Sequence, residues 1–352
     1  MRVLISAPSL EASKNVSGIS AVVLQVSRVL KDKVEFAHLE IGSEQGQERY
    51  ATFVTSLRKS LKGLAKVLAG RYDILHSNTA LNPRSLMRDL VMIAAARVRG
   101  KPVLLHVHGG MYLEAPPPAP LRIALGALIS LSTQIVIHSE RERLYLTRNC
   151  RNDVGRTAII YNGVDVGPNQ QHGERLSGFH AVFAGRLTHS KGIQVLLKAC
   201  RNLPQGVTVT FYGQGPLLSD VCQLAAENSQ VKYSGIYTPQ EAQQTISKFH
   251  VLILPSISSE GMPMTIVEAM SVGTVPVCRP LSSIPEIVQD GATGMLIDSG
   301  PGAICNALAT LRDAPALWSR MSDAAKAYAA ANLNASENYG HLFELYQRLI
   351  RS

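Results

Sequence analysis

Short apolar runs alternate with amphipathic segments through the first half of the chain, and the runs are typical of buried strands. Helical patterns lie between most of them, which predicts an α/β fold with a parallel, doubly wound sheet. Ligands of such sheets bind beyond the carboxyl ends of the strands, so functional residues are expected in the loops that follow them. The predicted strands are Val3–Ala7, Val34–Ile41, Ile74–Ser77, Val103–Val107, Ile135–His138 and Ala158–Tyr161.

The second half shows the same alternation, with apolar runs at Ala181–Ala184, Val207–Tyr212, Val231–Gly235 and Val251–Leu254. A chain of 352 residues is longer than a single hydrophobic core usually supports. We therefore expect two domains of similar construction.

The composition, 46% hydrophobic and 17% charged, is that of a folded protein. No apolar run reaches the roughly 18 to 20 residues that span a bilayer, and Met1–Ser6 is typical of a first strand, not of a signal peptide. We expect the protein to stay in the cytoplasm. The five cysteines are scattered and odd in number, which favours a reducing compartment and argues against disulfides or a zinc site.

The net charge of +9 would suit nucleic acid, an anionic membrane or a polyanionic substrate. Aromatic residues make up only 5% and do not alternate with the basic ones, so no nucleic-acid partner is expected.

Two segments of the first half leave peripheral attachment to the cytoplasmic face of the inner membrane open. Phe53–Leu68 carries Leu57, Leu61, Leu64 and Leu68 in one stripe, flanked by Arg58, Lys59, Lys62 and Lys66. This pattern suits a helix on an anionic bilayer or a surface helix that packs its leucines on its own core. Leu121–Leu131 is almost entirely apolar, and it is either a fully buried helix or one that faces lipid.

The stretch Ser259–Met270 passes from a turn after a buried strand into a helix that begins near Met264 or Thr265. Unpaired N–H groups at a helix start stabilise an anion such as a phosphate. The carboxylates of Glu260 and Glu268 accept hydrogen bonds from sugar hydroxyls. The two features together predict a sugar nucleotide as the ligand.

A second loop, Gly185–Gly192, also joins a strand to a helix and carries Arg186 and Lys191. Two cations beside a helix start suit a diphosphate, because they neutralise the charge that develops as its bond to a sugar breaks.

These motifs resemble those of retaining GT-B glycosyltransferases of family 4. Glu260 and Glu268, with seven residues between them, match its Glu-x7-Glu motif, within Ser-Ser-Glu-Gly-Met-Pro and Glu-Ala-Met. Gly185–Gly192 is similar to its Gly-Arg-Leu-x-x-x-Lys-Gly, and Tyr161–Asp165 is similar to the Asn-Gly-Val-Asp that ends its first domain.

The resemblance implies two Rossmann-like domains that face each other across a cleft. The first comprises residues 1–166 together with the last helix, 335–352, and lies on the acceptor side. A hinge of linker composition covers residues 167–177, and residues 178–334 hold the nucleotide sugar.

The resemblance also implies the roles of the site residues. His108, at a strand end, approaches the transferred sugar, and His106 supports it. Glu260 holds sugar hydroxyls, Glu268 holds the ribose, and Arg186 and Lys191 hold the diphosphate. The expected donor contacts are Gly18, Gly185, Gly213, Gly215, Ile236, Gly261, Met262, Pro263, Met264, Thr265 and Glu268. In place of the glycine pair usual in the family, the loop at Gly18 has Ser17-Gly18.

His106 and His108 point to the same face of a strand and could bind a metal, but the sequence shows no convincing further ligands. There is no Asp-x-Asp, and we expect neither a metal nor a cofactor.

The implied reaction moves a hexose-type sugar, with retention, from a nucleotide diphosphate sugar to a hydroxyl of a lipid-linked saccharide in polysaccharide or glycolipid assembly. A nucleotide-sugar epimerase and a non-catalytic nucleotide-sugar binding protein are the alternatives.

Overall fold

The structure is a computed structural model that describes residues 1–11, 17–42, 49–113, 115–150, 154–167 and 173–351; for residues 49–57 and 154 it describes the backbone alone. The chain divides into two compact units. The first unit contains Met1–Gly163, Ser259–Met262 and Ala335–Ser352, and the second contains Val164–Ser258 and Pro263–Asn334.

The first unit has a six-stranded, wholly parallel sheet in the order β2-β1-β3-β4-β5-β6. Its strands are β1 (Arg2–Ala7), β2 (Glu35–Glu40), β3 (Ile74–Thr79), β4 (Val103–Val107), β5 (Gln134–Ile137) and β6 (Thr157–Ile159). Its helices are α1 (Gly18–Val29), α2 (Arg49–Ala69), α3 (Pro83–Val98), α4 (Ala119–Leu131) and α5 (Glu140–Cys150).

The second unit has another six-stranded parallel sheet, in the order β12-β11-β10-β7-β8-β9. Its strands are β7 (Phe179–Ala184), β8 (Val207–Tyr212), β9 (Val231–Tyr233), β10 (Val251–Leu254), β11 (Val275–Cys278) and β12 (Met295–Leu296). Its helices are α6 (Ile193–Cys200), α7 (Leu218–Glu227), α8 (Ala242–Ile246), α9 (Met264–Ser271), α10 (Ile284–Ile287), α11 (Pro301–Asp313) and α12 (Pro315–Asn332). The last helix, α13 (Ala335–Arg351), returns to the first unit.

Both sheets change the direction of strand addition once. In the first sheet the chain places β2 on one side of β1 and β3 on the other, and in the second it places β8 on one side of β7 and β10 on the other. Ligands of doubly wound sheets bind at such switch points, outside the carboxyl ends of the strands. In the second sheet, the loops after β7 and β10 are those that carry the predicted motifs.

The central strands are buried because both faces of a parallel sheet are covered, and β10 is a continuous apolar run. Every residue of β4, β10 and β11 is buried, whereas the edge strand β2 is largely half-exposed. The predicted strands and the helix start at Met264 are confirmed to within one or two residues.

The boundaries of the two units differ from the predicted domains in two places. Val164 and the two residues after it belong to the second unit, where the Val164 N–H donates to the Leu333 carbonyl oxygen over 3.0 Å. Ser259–Met262 belongs to the first unit, because the backbone of Gly261 lies against His108.

The structure decides between the alternatives left open for two helices of the first unit. In α2 the predicted leucine stripe divides: Leu64 packs on the core beside Gly63 and Val67, whereas Leu61 is 60% and Leu68 47% exposed. Leu57 lies outside the described side chains. In α4 only one face is buried, and Ile123 is 76% exposed, so the helix is not fully buried. The period of a helix predicts a stripe, but packing decides which stripe faces inward.

Candidate active site

Four histidines meet at the carboxyl edge of the first sheet. His76 lies in β3, His106 lies in β4, and His108 and His138 directly follow β4 and β5. These strands are adjacent and parallel, with Asn78 beside His106 and His106 beside Val136 in the register. Because parallel strands end at the same edge, side chains far apart in the sequence come together there.

Close contacts between ring nitrogens connect the four rings in two pairs. His76 Nε2 lies 3.2 Å from His106 Nδ1, and His138 Nε2 lies 3.3 Å from His108 Nδ1. His108 Nε2 lies 2.7 Å from Asn78 Oδ1, and His138 Nδ1 lies 2.9 Å from the carbonyl oxygen of Ile160. The partly buried His108 is therefore held by groups on either side of its ring.

Burial lowers the pKa of all four imidazoles. The pKa falls to about 3 for His76 and to about 4 for His138. It falls well below the ordinary value for His106 and His108, where repulsion from neighbouring imidazoles adds to burial. All four rings are consequently neutral near pH 7.

The strand-end glycine after His108 makes close backbone contact with the Glu260 loop. A Cβ on Gly261 would lie 2.5 Å from the carbonyl carbon of His108, and a Cβ on Gly109 would lie 2.2 Å from the Gly261 nitrogen. Gly109 also has a φ of +84°, which favours glycine. The next residue, Met262, accepts a hydrogen bond at its carbonyl oxygen from Asn162 Nδ2 over 2.9 Å. Glu260 and His108 thus lie on segments that touch.

Gly18, the remaining predicted site residue of the first unit, is the first residue of α1. It is exposed, and among the described residues, its chain neighbours and its own helix backbone aside, no atom lies within 4 Å of where its Cβ would be. Asn15 and Val16, the start of its predicted loop, lie outside the described residues.

In the second unit, three loops meet at the carboxyl edge of the sheet. After β7, Gly185 leads to the exposed Arg186 and to the partly buried Lys191, which ends a 3₁₀ turn. A Cβ on Gly213, which follows β8, would lie 1.8 Å from the Gly185 carbonyl oxygen, and a Cβ on Gly215 would lie 2.4 Å from that of Leu187. The glycines allow these loops to approach more closely than side chains would permit. Ile236, after β9, is 40% exposed.

The loop after β10 is joined to the loop after β7. The Ile257 N–H donates to the Ser190 carbonyl oxygen over 2.9 Å, and a Cβ on Gly192 would lie 2.0 Å from the Pro255 carbonyl oxygen. Beyond this loop, α9 follows the N-cap residue Pro263, and its first intrahelical bonds run from Ile266 and Val267 to the Pro263 carbonyl oxygen. The N–H groups of Met264 and Thr265 precede these bonds, so they are the ones that a helix start offers to an anion.

Glu268 is buried in α9 and interacts electrostatically with the partly buried Tyr237. Burial raises the pKa of Glu268 to about 7. Burial, together with the charge of Glu268 and the neighbouring Tyr212, raises the pKa of Tyr237 well above its ordinary value. The carboxyl group is poised to ionise near neutral pH.

Two family models match the chain. The model of Glycosyltransferase Family 4 matches residues 18–167, and that of Glycosyl transferases group 1 matches residues 178–313. The chain belongs to glycosyltransferase family 4.

Relatives of this family 4 chain agree with that assignment. It is 30% identical over 176 residues to the amylovoran biosynthesis glycosyltransferase AmsK of Erwinia amylovora, across 47% of this chain and 43% of that protein. It is 25% identical over 309 residues to the D-inositol 3-phosphate glycosyltransferase of Pseudarthrobacter chlorophenolicus, across 80% of this chain and 72% of that one.

The structure of HepE from Anabaena in complex with UDP and glucose is similar to this one, with a TM-score of 0.77 and 18% identity over 99% of this chain and 100% of that chain. The predicted family and the GT-B class of two Rossmann-like domains are confirmed. The roles of the individual site residues stay predictions.

Three residues of the family 4 chain were missed by sequence reasoning. His138 and Asn78 flank His108, and the signal for them was polar residues at the ends of neighbouring predicted strands. Arg279 directly follows β11 and donates to the Ser256 carbonyl oxygen over 3.1 Å. Its guanidinium group adds a third cation at this edge. The Nε atom of that group is buried and has no hydrogen-bond partner among the described residues.

The buried Glu268 predicts a pH-dependent stability. Its folded pKa of about 7 exceeds the ordinary value of 4.5, so its neutral form stabilises the fold most below about pH 4.5. That contribution falls by roughly 3 kcal/mol as the pH rises to about 7. Urea unfolding of Glu268→Gln should therefore show a smaller loss of stability between about pH 5 and about pH 8 than the unaltered protein shows.

Glu227→Gln is the matched control, because Glu227 is exposed on α7. It should keep the pH dependence of the unaltered protein. An equal pH dependence in Glu268→Gln would contradict the assignment of the buried carboxyl.

Proposed function

We propose that the protein is a retaining glycosyltransferase that moves a hexose-type sugar from a nucleotide diphosphate sugar to a hydroxyl of a lipid-linked saccharide. One observation carries the donor half of this proposal. At the switch point of the second sheet, the loop that carries Arg186 and Lys191 is hydrogen-bonded to the loop that leads to the first turn of α9. Cations and free helix N–H groups at a switch point are the features that hold a diphosphate.

In the proposed reaction the second unit stabilises the departing diphosphate. Arg186 and Lys191 neutralise its developing charge, and the Met264 and Thr265 amides donate to its oxygens. Glu268 accepts hydrogen bonds from the ribose, which favours its ionised form and lowers its pKa when the donor binds. Donor binding near neutral pH should therefore release a proton.

The first unit contributes the groups proposed to face the sugar. Glu260 accepts hydrogen bonds from sugar hydroxyls, and His108 approaches the anomeric carbon. A donor phosphate oxygen takes the proton of the acceptor hydroxyl, so the protein supplies no general base. Contact between the Gly261 and His108 backbones supports a shared role for these segments.

The relatives suggest where to begin the search for substrates. The HepE complex contains UDP and glucose, so UDP-glucose is the first donor to test. AmsK acts in amylovoran biosynthesis, which supports a polysaccharide as the product.

A thermal-shift screen against nucleotides and nucleotide sugars tests the donor proposal. A true donor at about a hundred times its Kd stabilises the fold by roughly 2.7 kcal/mol. Donor consumption that depends on an added acceptor would support transfer. Consumption without an acceptor would favour an epimerase, and binding without turnover would favour a non-catalytic binding protein.

We also infer peripheral membrane attachment through the outer faces of α2, α3 and α4, which pack side by side in that order. No helix among the described residues is long and apolar enough to span a bilayer. Exposed apolar side chains nevertheless cover this surface, and exposed cations lie among them. The apolar ones are Leu61, Leu68, Met87, Val91, Val98 and Ile123, and the cations are Arg58, Lys62, Arg84 and Arg122. Apolar and basic side chains on one face are the features that bind anionic bilayers.

Vesicle sedimentation tests this inference. The protein should bind vesicles that contain phosphatidylglycerol and not vesicles of phosphatidylcholine alone. A Leu61→Ser, Lys62→Ser double variant should lose most of this binding, while Lys232→Ser on the exposed part of β9 should keep it. Equal binding by both variants would contradict the assigned surface.

A further inference from the structure

The four-histidine edge of the first sheet has an arrangement that transfer of a sugar does not require. One ring nitrogen from each of His106, His108 and His138 lies within 4.8 Å of the other two. The ring centroids are 4.1 Å apart for His106 and His108, 5.0 Å for His106 and His138, and 5.2 Å for His108 and His138. The three rings therefore form one compact cluster.

The proton position on His108 follows from its neighbour Asn78. Asn78 Nδ2 donates to the Ser6 carbonyl oxygen over 2.7 Å, so Asn78 Oδ1 is the atom that faces His108 Nε2. An amide oxygen only accepts, so His108 Nε2 carries the proton. His108 Nδ1 is then an unprotonated nitrogen.

His138 is held in one tautomer by a backbone carbonyl group. Its Nδ1 donates to the Ile160 carbonyl oxygen, which leaves Nε2 unprotonated. This nitrogen lies 3.3 Å from His108 Nδ1. In the neutral rings, two lone pairs face each other without a hydrogen between them, and only a cation placed between these atoms makes the contact favourable.

His106 can supply a third lone pair. Its Nε2 is buried and has no hydrogen-bond partner among the described residues, although the side chain is only 1% exposed. When His106 Nδ1 donates to His76 Nε2, His76 Nδ1 donates to the Tyr346 hydroxyl 2.5 Å away. In that tautomer His106 Nε2 is unprotonated, which explains an otherwise costly buried nitrogen.

We propose that His106, His108 and His138 bind a divalent transition-metal ion through His106 Nε2, His108 Nδ1 and His138 Nε2. Zinc bound to imidazole at about 2.0–2.1 Å in a tetrahedron places neighbouring ligand atoms about 3.3 Å apart, which is the separation of the His108 and His138 nitrogens. Each ring donates its other N–H to an oxygen or to a further ring, as metal-binding histidines do.

The ligand set also selects the class of ion. Three imidazoles without a carboxylate suit zinc, cobalt, nickel or copper and not magnesium or calcium. The sequence indicated no third candidate ligand beside His106 and His108, and the structure places His138 there.

Cobalt titration of the unaltered, chelator-treated protein is the direct test, because it needs no variant to fold. We expect one equivalent of Co²⁺ to produce the intense visible bands of a four-coordinate site, and Zn²⁺ to displace it. Mg²⁺ at the same concentration should produce no change. The absence of a saturable spectral change would overturn the proposal.

His138→Asn tests the ligand assignment. The Asn amide can still donate to the Ile160 carbonyl oxygen, but it lacks the nitrogen that corresponds to Nε2. Affinity for Co²⁺ should fall at least ~100-fold, beyond the range usual for residues that only orient ligands. The control, His341→Asn, alters an exposed histidine of α13 and should leave the affinity unchanged. Unchanged affinity in His138→Asn, with a normal unfolding transition, would overturn the assignment.

Discussion

Lys191→Ala should lower turnover by ~10²–10³-fold, the loss typical when a group that stabilises developing charge is removed. Lys191 lies in the loop after β7, joined through Ser190 to the loop after β10. Its ammonium is proposed to hold the diphosphate as the bond to the sugar breaks. Steady-state kinetics with the donor identified by thermal shift would measure the effect.

The fold of Lys191→Ala should remain intact, because the side chain lies at the edge of the sheet and not in the core. Its free energy of unfolding should change by no more than ~0.5 kcal/mol. Glu260→Ala should behave in the same way. Lys198→Ala, at an exposed position of α6, is the matched control and should turn over normally. Near-normal turnover in Lys191→Ala and Glu260→Ala would count heavily against the site.

Gly261→Ala should lower both turnover and stability. The added Cβ would lie 2.5 Å from the His108 carbonyl carbon, 2.7 Å from its oxygen and 2.8 Å from the Gly109 nitrogen. All three are backbone atoms of a strand end, so they cannot move aside as a flexible side chain can. The loop must shift instead, which costs roughly 1–3 kcal/mol. Glu260 and His108 would be separated, and a displacement of about 1 Å can lower turnover ~10²-fold.

Gly302→Ala is the control for this substitution. Gly302 lies in the first turn of α11, and no described atom outside its chain neighbours and its own helix backbone is within 4 Å of where its Cβ would be. Its replacement should raise the free energy of unfolding by about 0.4–1 kcal/mol, because alanine loses less backbone entropy in a helix. Urea unfolding and steady-state kinetics of both variants would compare the effects. Unchanged kinetics in Gly261→Ala would show that the backbone contact does not position the site.

His108 has two proposed roles that are independent of each other, one in sugar transfer and one as a metal ligand. A metal at His108 Nδ1 would leave its Nε2–H on Asn78 and so would hold the ring in one orientation. Failure of the cobalt titration would leave the transfer proposal intact. Normal turnover in Lys191→Ala would leave the metal site intact.

The local sequence pattern was sufficient to predict the fold class and to locate the functional loops of the second unit. Buried parallel strands are largely apolar, so β4 and β10 could be located from the sequence. The Gly185–Gly192 and Ser259–Met270 motifs are each contiguous, with their cations and carboxylates at short spacings. Ser282 is an exception: its φ of +47° is in the region that favours glycine, and the local sequence does not indicate this conformation.

The sequence by itself determined the alternation of strands and helices, the two-domain organisation and the presence of a diphosphate-binding pattern, because these depend on residues near one another in the chain. Only the tertiary structure decided that His138 joins His106 and His108, since the register of neighbouring parallel strands brings together residues 30 positions apart. It also decided that Leu61 and Leu68 face outward and that Glu268 is buried enough to raise its pKa. Helix rotation and burial depend on what packs against each face, and residues distant in the sequence supply those contacts.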